Sequence, residues 1–351
     1  MGVIEESRAF EVHVFRVDEG LGNACLLRLP DGEFGIVDWG TTAPRAFGAL
    51  FDLVATSRIR FVAATHAHAD HTLGLPELLR LCDERDIPVG RFVFPASTLH
   101  KEDAYLTRAR AVAFNLKIPQ HSVSVDDFEG PHGLREPPAL AWGDGWDVYV
   151  LSPPATGVGK YEIKGFTDDV VPGNETSFVL LFRFVAARYG RVVLTGDATR
   201  GTLNFARKVT EQFPELRMDN GCLVIPHHGS RNGVPDWLYE HSAGAVVLSA
   251  PTDDIHHPSH DTLREIARRL SGRGEALFCT SYALACRQQF GKAAGARARH
   301  LVAEGPCFGD ISVRVTIRGG WTLTRSSEPG QLRRRFGHCG QASPPAAGGA
   351  S

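Results

Sequence analysis

No stretch of this 351-residue chain approaches the roughly 18 consecutive apolar residues of a membrane span, so no membrane-spanning helix is expected. The opening segment Met1 to Arg8 lacks both a basic region and an apolar region, so no secretory signal is read and a cytoplasmic location is expected. Gly2 does not make a myristoylation site, because Glu6 stands where that pattern needs Ser or Thr. The seven cysteines include no Cys-x-x-Cys pair and are scattered and odd in number, which fits reduced thiols better than a disulfide framework. Excess charge is also missing. Lys plus Arg number 38 against 40 Asp plus Glu, so the net charge of -2 gives no global basic signal for nucleic acid. Arg-rich stretches at 264–273 and 297–300 leave a local basic groove open, with a solvated helix face as the favoured reading.

What is present is ordinary globular composition, 43% hydrophobic and 22% charged. The chain opens with three short apolar runs separated by turn residues: 10–17, 24–29 and 34–37. They read as a meander of antiparallel strands. Helical spacing follows over 42–55, then a strand at 61–64, a helix from Leu75, a strand at 91–94 and a helix at 99–114. Between Lys117 and Val171 Pro and Gly accumulate, and one strand, 146–151, stands out. This region reads as an insertion or a loop on the substrate side. The second half repeats the grammar of the first. Strands at 177–184, 191–195, 222–225 and 245–248 alternate with helices at 201–213, 234–241 and 261–270, and strands at 310–317 and 321–325 close the domain. One domain over 10–325 is expected, followed by a disordered tail over 326–351.

The most informative stretch is Thr65-His66-Ala67-His68-Ala69-Asp70-His71, where three of the fifteen histidines fall within six residues. It lies where a strand ends and a helix begins, a place from which two rigid elements aim side chains well. A solvated loop of surface histidines is the competing reading. Asp38, Asp197, the pair His227-His228, and His257 each likewise follow an apolar strand. Singly, Asp38 and Asp197 could be helix caps and His257 a turn residue before Pro258. Strand ends that share a direction gather at one sheet edge, and five clusters of ligand-type side chains there are hard to explain as solvated loops.

The segments Val37-Asp38-Trp39-Gly40, Thr65 to His71 and Leu194-Thr195-Gly196-Asp197 resemble the ordered motifs of the metallo-β-lactamase superfamily. Asn174-Glu175-Thr176-Ser177, Pro226-His227-His228-Gly229-Ser230 and His257-Pro258-Ser259 are similar to the hydrolase domain of ComEC-type DNA-uptake proteins, as is the opening segment Phe15 to Ala24. The resemblance implies an α/β fold, a four-layer αββα sandwich, with a binuclear metal site at one edge. It places His66 and His68 on the first metal, Asp70 and His71 on the second, and Asp197 between them. It has His257 complete the second site, and puts His227 or His228 in or beside the metal shell. Asp38 would orient a ligand histidine through its free ring nitrogen. Many superfamily members carry a further first-site histidine where this chain has Gly173-Asn174. His227 or His228 would then make up the shortfall, with Asn174 beside the ligands.

Imidazole and carboxylate ligands without thiolate suit two divalent ions, Zn²⁺ first, with Mn²⁺ or Fe as alternatives. Two ions about 3.5–4 Å apart hold a bridging hydroxide and clamp the attacked group. Asp70 would hold the water and relay a proton, and His228 would stabilise charge on the substrate oxygen. The expected function is a metal-dependent hydrolase of phosphoester bonds in a small molecule or a nucleic acid, without an obligate protein partner. The same residues are compatible with hydrolysis of an ester, lactone, lactam or thioester, and with a non-catalytic metal-binding protein.

Overall fold

A computed structural model describes residues 8–17, 22–96, 104–130, 133–152, 174–231, 234–250, 256–270, 276–280, 310–318 and 320–325. The tail at 326–351, the second Arg-rich stretch, His100, His132, Gly173, Cys286, Cys307 and Cys339 lie outside the described residues.

The strands are β1 (Ala9–Val14), β2 (Ala24–Arg28), β3 (Phe34–Trp39), β4 (Ile59–Ala63), β5 (Phe92–Pro95), β6 (Gln120–Val123), β7 (Glu129–Gly130), β8 (Gly133–Leu134), β9 (Ala139–Gly143), β10 (Trp146–Val150), β11 (Leu180–Phe184), β12 (Arg191–Leu194), β13 (Asn220–Val224), β14 (Ser242–Leu248), β15 (Ala276–Cys279), β16 (Ile311–Thr316) and β17 (Trp321–Arg325). The helices are α1 (Pro44–Val54), α2 (Ala69–Thr72), α3 (Leu75–Glu84), α4 (Ala104–Asn115), α5 (Arg200–Gln212), α6 (Asp236–Glu240) and α7 (His260–Leu270). Apart from the β7-β8 hairpin, the strands form two sheets, in the orders β17-β16-β1-β2-β3-β4-β5-β6 and β15-β14-β13-β12-β11-β10-β9.

The side-chain period of two assigns each sheet's faces. In β2, Cys25 and Leu27 point into a core shared with the second sheet, while Ala24 and Leu26 point into a core built with α1, α3 and α4. Phe10 of β1 joins the sheets by ring contacts with Phe182 and Phe184 of β11. On the far face of the second sheet, α5 buries Leu203, Ala206 and Val209. The layers are therefore helices, sheet, sheet, helices, the expected αββα sandwich.

Each sheet is antiparallel on one side and parallel on the other. β3 to β6 run parallel, as do β12 to β15. Parallel strands put their carboxyl ends at one edge, the usual place for a ligand site in an open α/β sheet. The loops after β3, β4, β12 and β13 carry the polar clusters. A backbone bond from Phe178 N–H to Thr65 O, 3.0 Å long, ties the two sheets together there.

The described part of the region from Lys117 holds more strands than its composition suggests. It supplies β6, the β7-β8 hairpin and β9 as well as β10. β6 is an exposed edge strand of polar residues and β9 is an edge strand built largely of Ala and Gly, so neither shows an apolar alternation that a sequence could display.

Candidate metal centre

The histidine loop is made by a change of backbone conformation. His68 is extended (φ -78°, ψ 149°) and caps the short helix α2, so Asp70 and His71 turn back beside His66. Gly40 allows this close return. A Cβ on Gly40 would sit 1.5 Å from the carbonyl oxygen of Asp70, so only glycine fits. Gly196 plays the matching role in the second sheet, with φ +48° and Ser177 Oγ and Thr65 Oγ1 at 2.4 Å and 2.7 Å from where a Cβ would be.

Asp38 is fully buried at the end of β3, in a left-handed conformation (φ 59°) that Asp tolerates better than most residues. Its Oδ1 accepts from Thr65 N–H at 2.7 Å, and its Oδ2 accepts from Thr65 Oγ1 at 2.8 Å and from His71 Nδ1 at 2.7 Å. Thr65 Oγ1 also lies 3.1 Å from His66 Nδ1. His228 Nδ1 donates to the carbonyl of Ser249 at 2.9 Å. In each case the outer ring nitrogen is occupied, which turns Nε2 inward.

Those inward nitrogens meet Asp197, and its two oxygens divide them. Oδ1 faces His71 Nε2 at 3.1 Å and His228 Nε2 at 3.9 Å. Oδ2 faces His66 Nε2 at 3.9 Å and His227 Nε2 at 3.9 Å. Asp70 Oδ2 joins the first group, 3.5 Å from His228 Nε2 and 3.9 Å from His71 Nε2. Two clusters have ligand atoms mutually within 4.8 Å: Asp70, His71, Asp197 and His228, and His66, His68 and Asp197. Asp197 is common to both.

The loop after β13 carries unusual backbone. His227 and His228 are both left-handed, at φ 50° and 49°, which sends neighbouring imidazoles toward opposite oxygens of one carboxylate. Such conformations are costly away from glycine and concentrate at functional sites.

Burial alone would raise the pKa of both Asp70 and Asp197. The imidazoles outweigh it, His71 foremost, holding Asp70 at about 2 and Asp197 well below the usual carboxylate range. Burial pulls His71 and His228 down, but the carboxylates, Asp197 foremost, hold both above the usual imidazole range. His66 and His227 are lowered, first by burial; His71 adds to the effect on His66.

The residues fit a pair of divalent cations. The Nε2 atoms of His66, His71 and His228 and the Oδ1 of Asp197 are buried without a hydrogen-bond partner. The 3.1 Å approach of His71 to Asp197 is an ion-pair contact without hydrogen-bond alignment. Four buried unpartnered polar atoms converging on two points is an arrangement that cations satisfy and an apolar core would not tolerate.

The arrangement bears on the expectation in two places. His228, rather than His257, stands in the cluster with Asp70 and His71. His257 lies outward, stacked on His227 with ring centroids 5.2 Å apart. Asn174 is buried, with Nδ2 3.2 Å from His227 Nε2, so the expected neighbour of the ligands approaches them through His227. Sequence reading assigned no role to Thr65 or to Ser177, whose Oγ accepts from Asp197 N–H at 2.9 Å. Both stand inside quoted motifs, which is the only signal that could have marked them. The carbonyl of Ser249 has none.

Residues 17–160, which include the histidine loop, match the family model of the metallo-beta-lactamase superfamily. Over these residues the chain resembles that superfamily. The residues of the two candidate clusters are drawn from both sheets. No curated protein matches it. Among solved structures it is similar to the metallo-beta-lactamase fold protein YhfI from Bacillus subtilis, with 14% identity, 77% of this chain and 95% of that chain covered, and a TM-score of 0.46. A diphosphatase from the PhnP family is similar at 14% identity, covering 88% and 98%, with a TM-score of 0.40. A long-form RNase Z from yeast is similar at 11% identity, covering 72% and 42%, with a TM-score of 0.35. Among the described residues no helix is long and apolar enough to cross a membrane.

Proposed function

We propose that the chain is a metal-dependent hydrolase of phosphoester bonds that uses two divalent cations, Zn²⁺ first among the candidates. The carrying observation is the division of Asp197, whose two oxygens each face a separate pair of imidazoles. Asp197, between two nitrogen-rich sets, would help to hold a pair of cations, and the chemistry these would supply when bound is activation of water near neutral pH and neutralisation of charge on the attacked group. The resemblance of the His-His-Gly-Ser and Asn-Glu-Thr-Ser segments to ComEC-type hydrolase domains supports a phosphodiester, with nucleic acid among the substrates.

The chain's own residues divide the work. Asp38 fixes the proton on His71 Nδ1, and Thr65 extends the same control to His66. Asp70, with a side chain 20% exposed at the mouth, is placed to take a proton from the attacking water and pass it on. His228 Nε2 points into the cluster, so it is spent as a ligand and has no proton for the substrate. Donation to the substrate oxygen then falls to His257, half-buried at the rim.

The test is a substrate panel on metal-loaded protein: bis(p-nitrophenyl) phosphate, single-stranded DNA, and lactone and thioester substrates. Turnover of the phosphodiesters is expected. Turnover of lactones or thioesters alone would overturn the reading, as would a protein that binds two ions and hydrolyses none of them.

A further inference from the structure

Away from the metal centre, at the other end of the parallel strands, a cleft of about 270 Å³ is lined by Arg58, Arg60, Gly90, Arg91, Ala141 and Trp142. β4 separates the two. Arg60 is near its amino end, whereas the histidine loop follows its carboxyl end, roughly 15–20 Å away at about 3.3 Å per residue. The cleft is therefore not part of the metal centre.

Its three guanidiniums are not equivalent. Arg60 is committed to structure: its Nε donates to Glu33 at 2.5 Å, one terminal nitrogen to Asp31 at 2.8 Å and the other to the carbonyl of Trp142 at 2.8 Å. Its guanidinium also lies 5.3 Å from the ring centroid of Trp146. This anchors edge strand β9 of the second sheet to β4 of the first. Arg58 has only a long 3.9 Å contact to Glu33, a carboxylate already held by Arg60, and its side chain is 56% exposed. Arg91 pairs with no carboxylate among the described residues. Three guanidiniums against two carboxylates leave a net positive cleft, and the uncommitted donors are those of Arg58 and Arg91.

Beside them stands Trp142, 62% exposed, an unusual state for the residue with the largest apolar surface. Its backbone is fixed by β9 and by the bond from Arg60, which keeps the residue at the cleft without burying its indole. Planar guanidiniums suit phosphate oxygens, and an exposed indole face suits an aromatic ring. We propose that this cleft binds a nucleotide unit, its phosphate on Arg58 and Arg91 and its base on Trp142. The unit is either a free nucleotide or one residue of a single-stranded polynucleotide.

The experiment is direct binding to the metal-loaded full chain. Anisotropy of a fluorescein-labelled oligothymidylate with a hydrolysis-resistant phosphorothioate backbone reports the polynucleotide arm, and calorimetry with adenosine 5′-monophosphate reports the free nucleotide arm. Arg58→Ala/Arg91→Ala and Trp142→Ala are each expected to weaken binding about tenfold or more in at least one arm, the scale of one lost stacked base. Metal content and bis(p-nitrophenyl) phosphate turnover should stay at the wild-type level, which separates this binding from the proposed hydrolysis. Arg60 is left intact so that the fold is undisturbed. The proposal is overturned if both variants bind both probes like the wild type, or if inorganic phosphate competes as well as the mononucleotide.

Discussion

Asp38→Asn isolates what one buried carboxylate contributes to the metal centre. The change keeps size and shape, and Asn adopts the left-handed conformation at φ 59° as readily as Asp, so the backbone has no reason to move. The amide oxygen can go on accepting from Thr65 N–H at 2.7 Å. The second oxygen becomes an NH₂ facing Thr65 Oγ1 at 2.8 Å and His71 Nδ1 at 2.7 Å. Thr65 can accept there and still accept from His66 Nδ1, because a hydroxyl has two lone pairs. His71 cannot adapt so easily. To accept from the amide it must carry its proton on Nε2, the atom that faces Asp197 at 3.1 Å. The variant should therefore lose affinity at the Asp70, His71, Asp197 and His228 cluster and largely keep it at the His66 and His68 cluster. Loss of such an outer partner typically costs 10–100-fold in metal affinity, about 1.4–2.8 kcal/mol. Calorimetric titration with Zn²⁺ or Mn²⁺, checked by elemental analysis after dialysis, should resolve two classes of site of which one is weakened. Two ions held with wild-type affinity would refute the argument that Asp38 sets the His71 tautomer.

His228→Ala should leave about one ion per chain by elemental analysis, whereas His257→Ala should keep two and lower turnover by about 10²-fold, the scale of a lost oxyanion donor; loss of an ion from His257→Ala would return that residue to the ligand set. Because the carboxylates hold His71 and His228 above the usual imidazole range, cations must displace those protons. Metal affinity should therefore go on rising as pH climbs past about 6.5, the ordinary histidine value, with net proton release measurable in buffers of different ionisation enthalpy; a plateau at that pH would count against it. Asp147 lies directly across from Arg183 in the β10-β11 register, and both carboxylate oxygens meet the guanidinium, at 2.6 Å and 2.8 Å. Asp147→Ala strands a buried cation and should cost about 3–5 kcal/mol in denaturant unfolding, while a loss below about 1 kcal/mol would mean that Arg183 finds other partners. Gly40→Ala should abolish binding of both ions, because its Cβ collides with the carbonyl of Asp70; two bound ions in that variant would show that the loop can move aside.

The sequence made some parts of this arrangement legible and hid others for physical reasons. Most strands and helices were readable from their apolar patterning, as in β2, whose residues alternate between the two cores, while the sandwich itself was what the family resemblance implied. Asp38, the histidine loop and Asp197 were readable because parallel strands deliver whatever follows them to one edge. β6 and β9 were not, since edge strands need no buried second face and their polar or small residues look like loop. Thr65 and Ser177 were quoted in their motifs yet given no task, because a hydroxyl hydrogen bond leaves no mark in residue type or spacing.

The relation among His227, His228 and His257 was hidden more deeply. Two adjacent side chains in extended or helical backbone diverge in fixed ways, and from that rule only one member of His227-His228 would face the site. The structure evades the rule with two successive left-handed residues, which send His228 to Asp197 Oδ1 and His227 to Oδ2. Nothing in two histidine letters announces a positive φ. His227 stands as far from Asp197 Oδ2 as His66 does, with Asn174 against it, which is the geometric ground for proposing His227 in place of the absent histidine near Asn174. His257, stacked on His227 outside the two clusters, is the residue to which the proposed function gives the proton for the substrate.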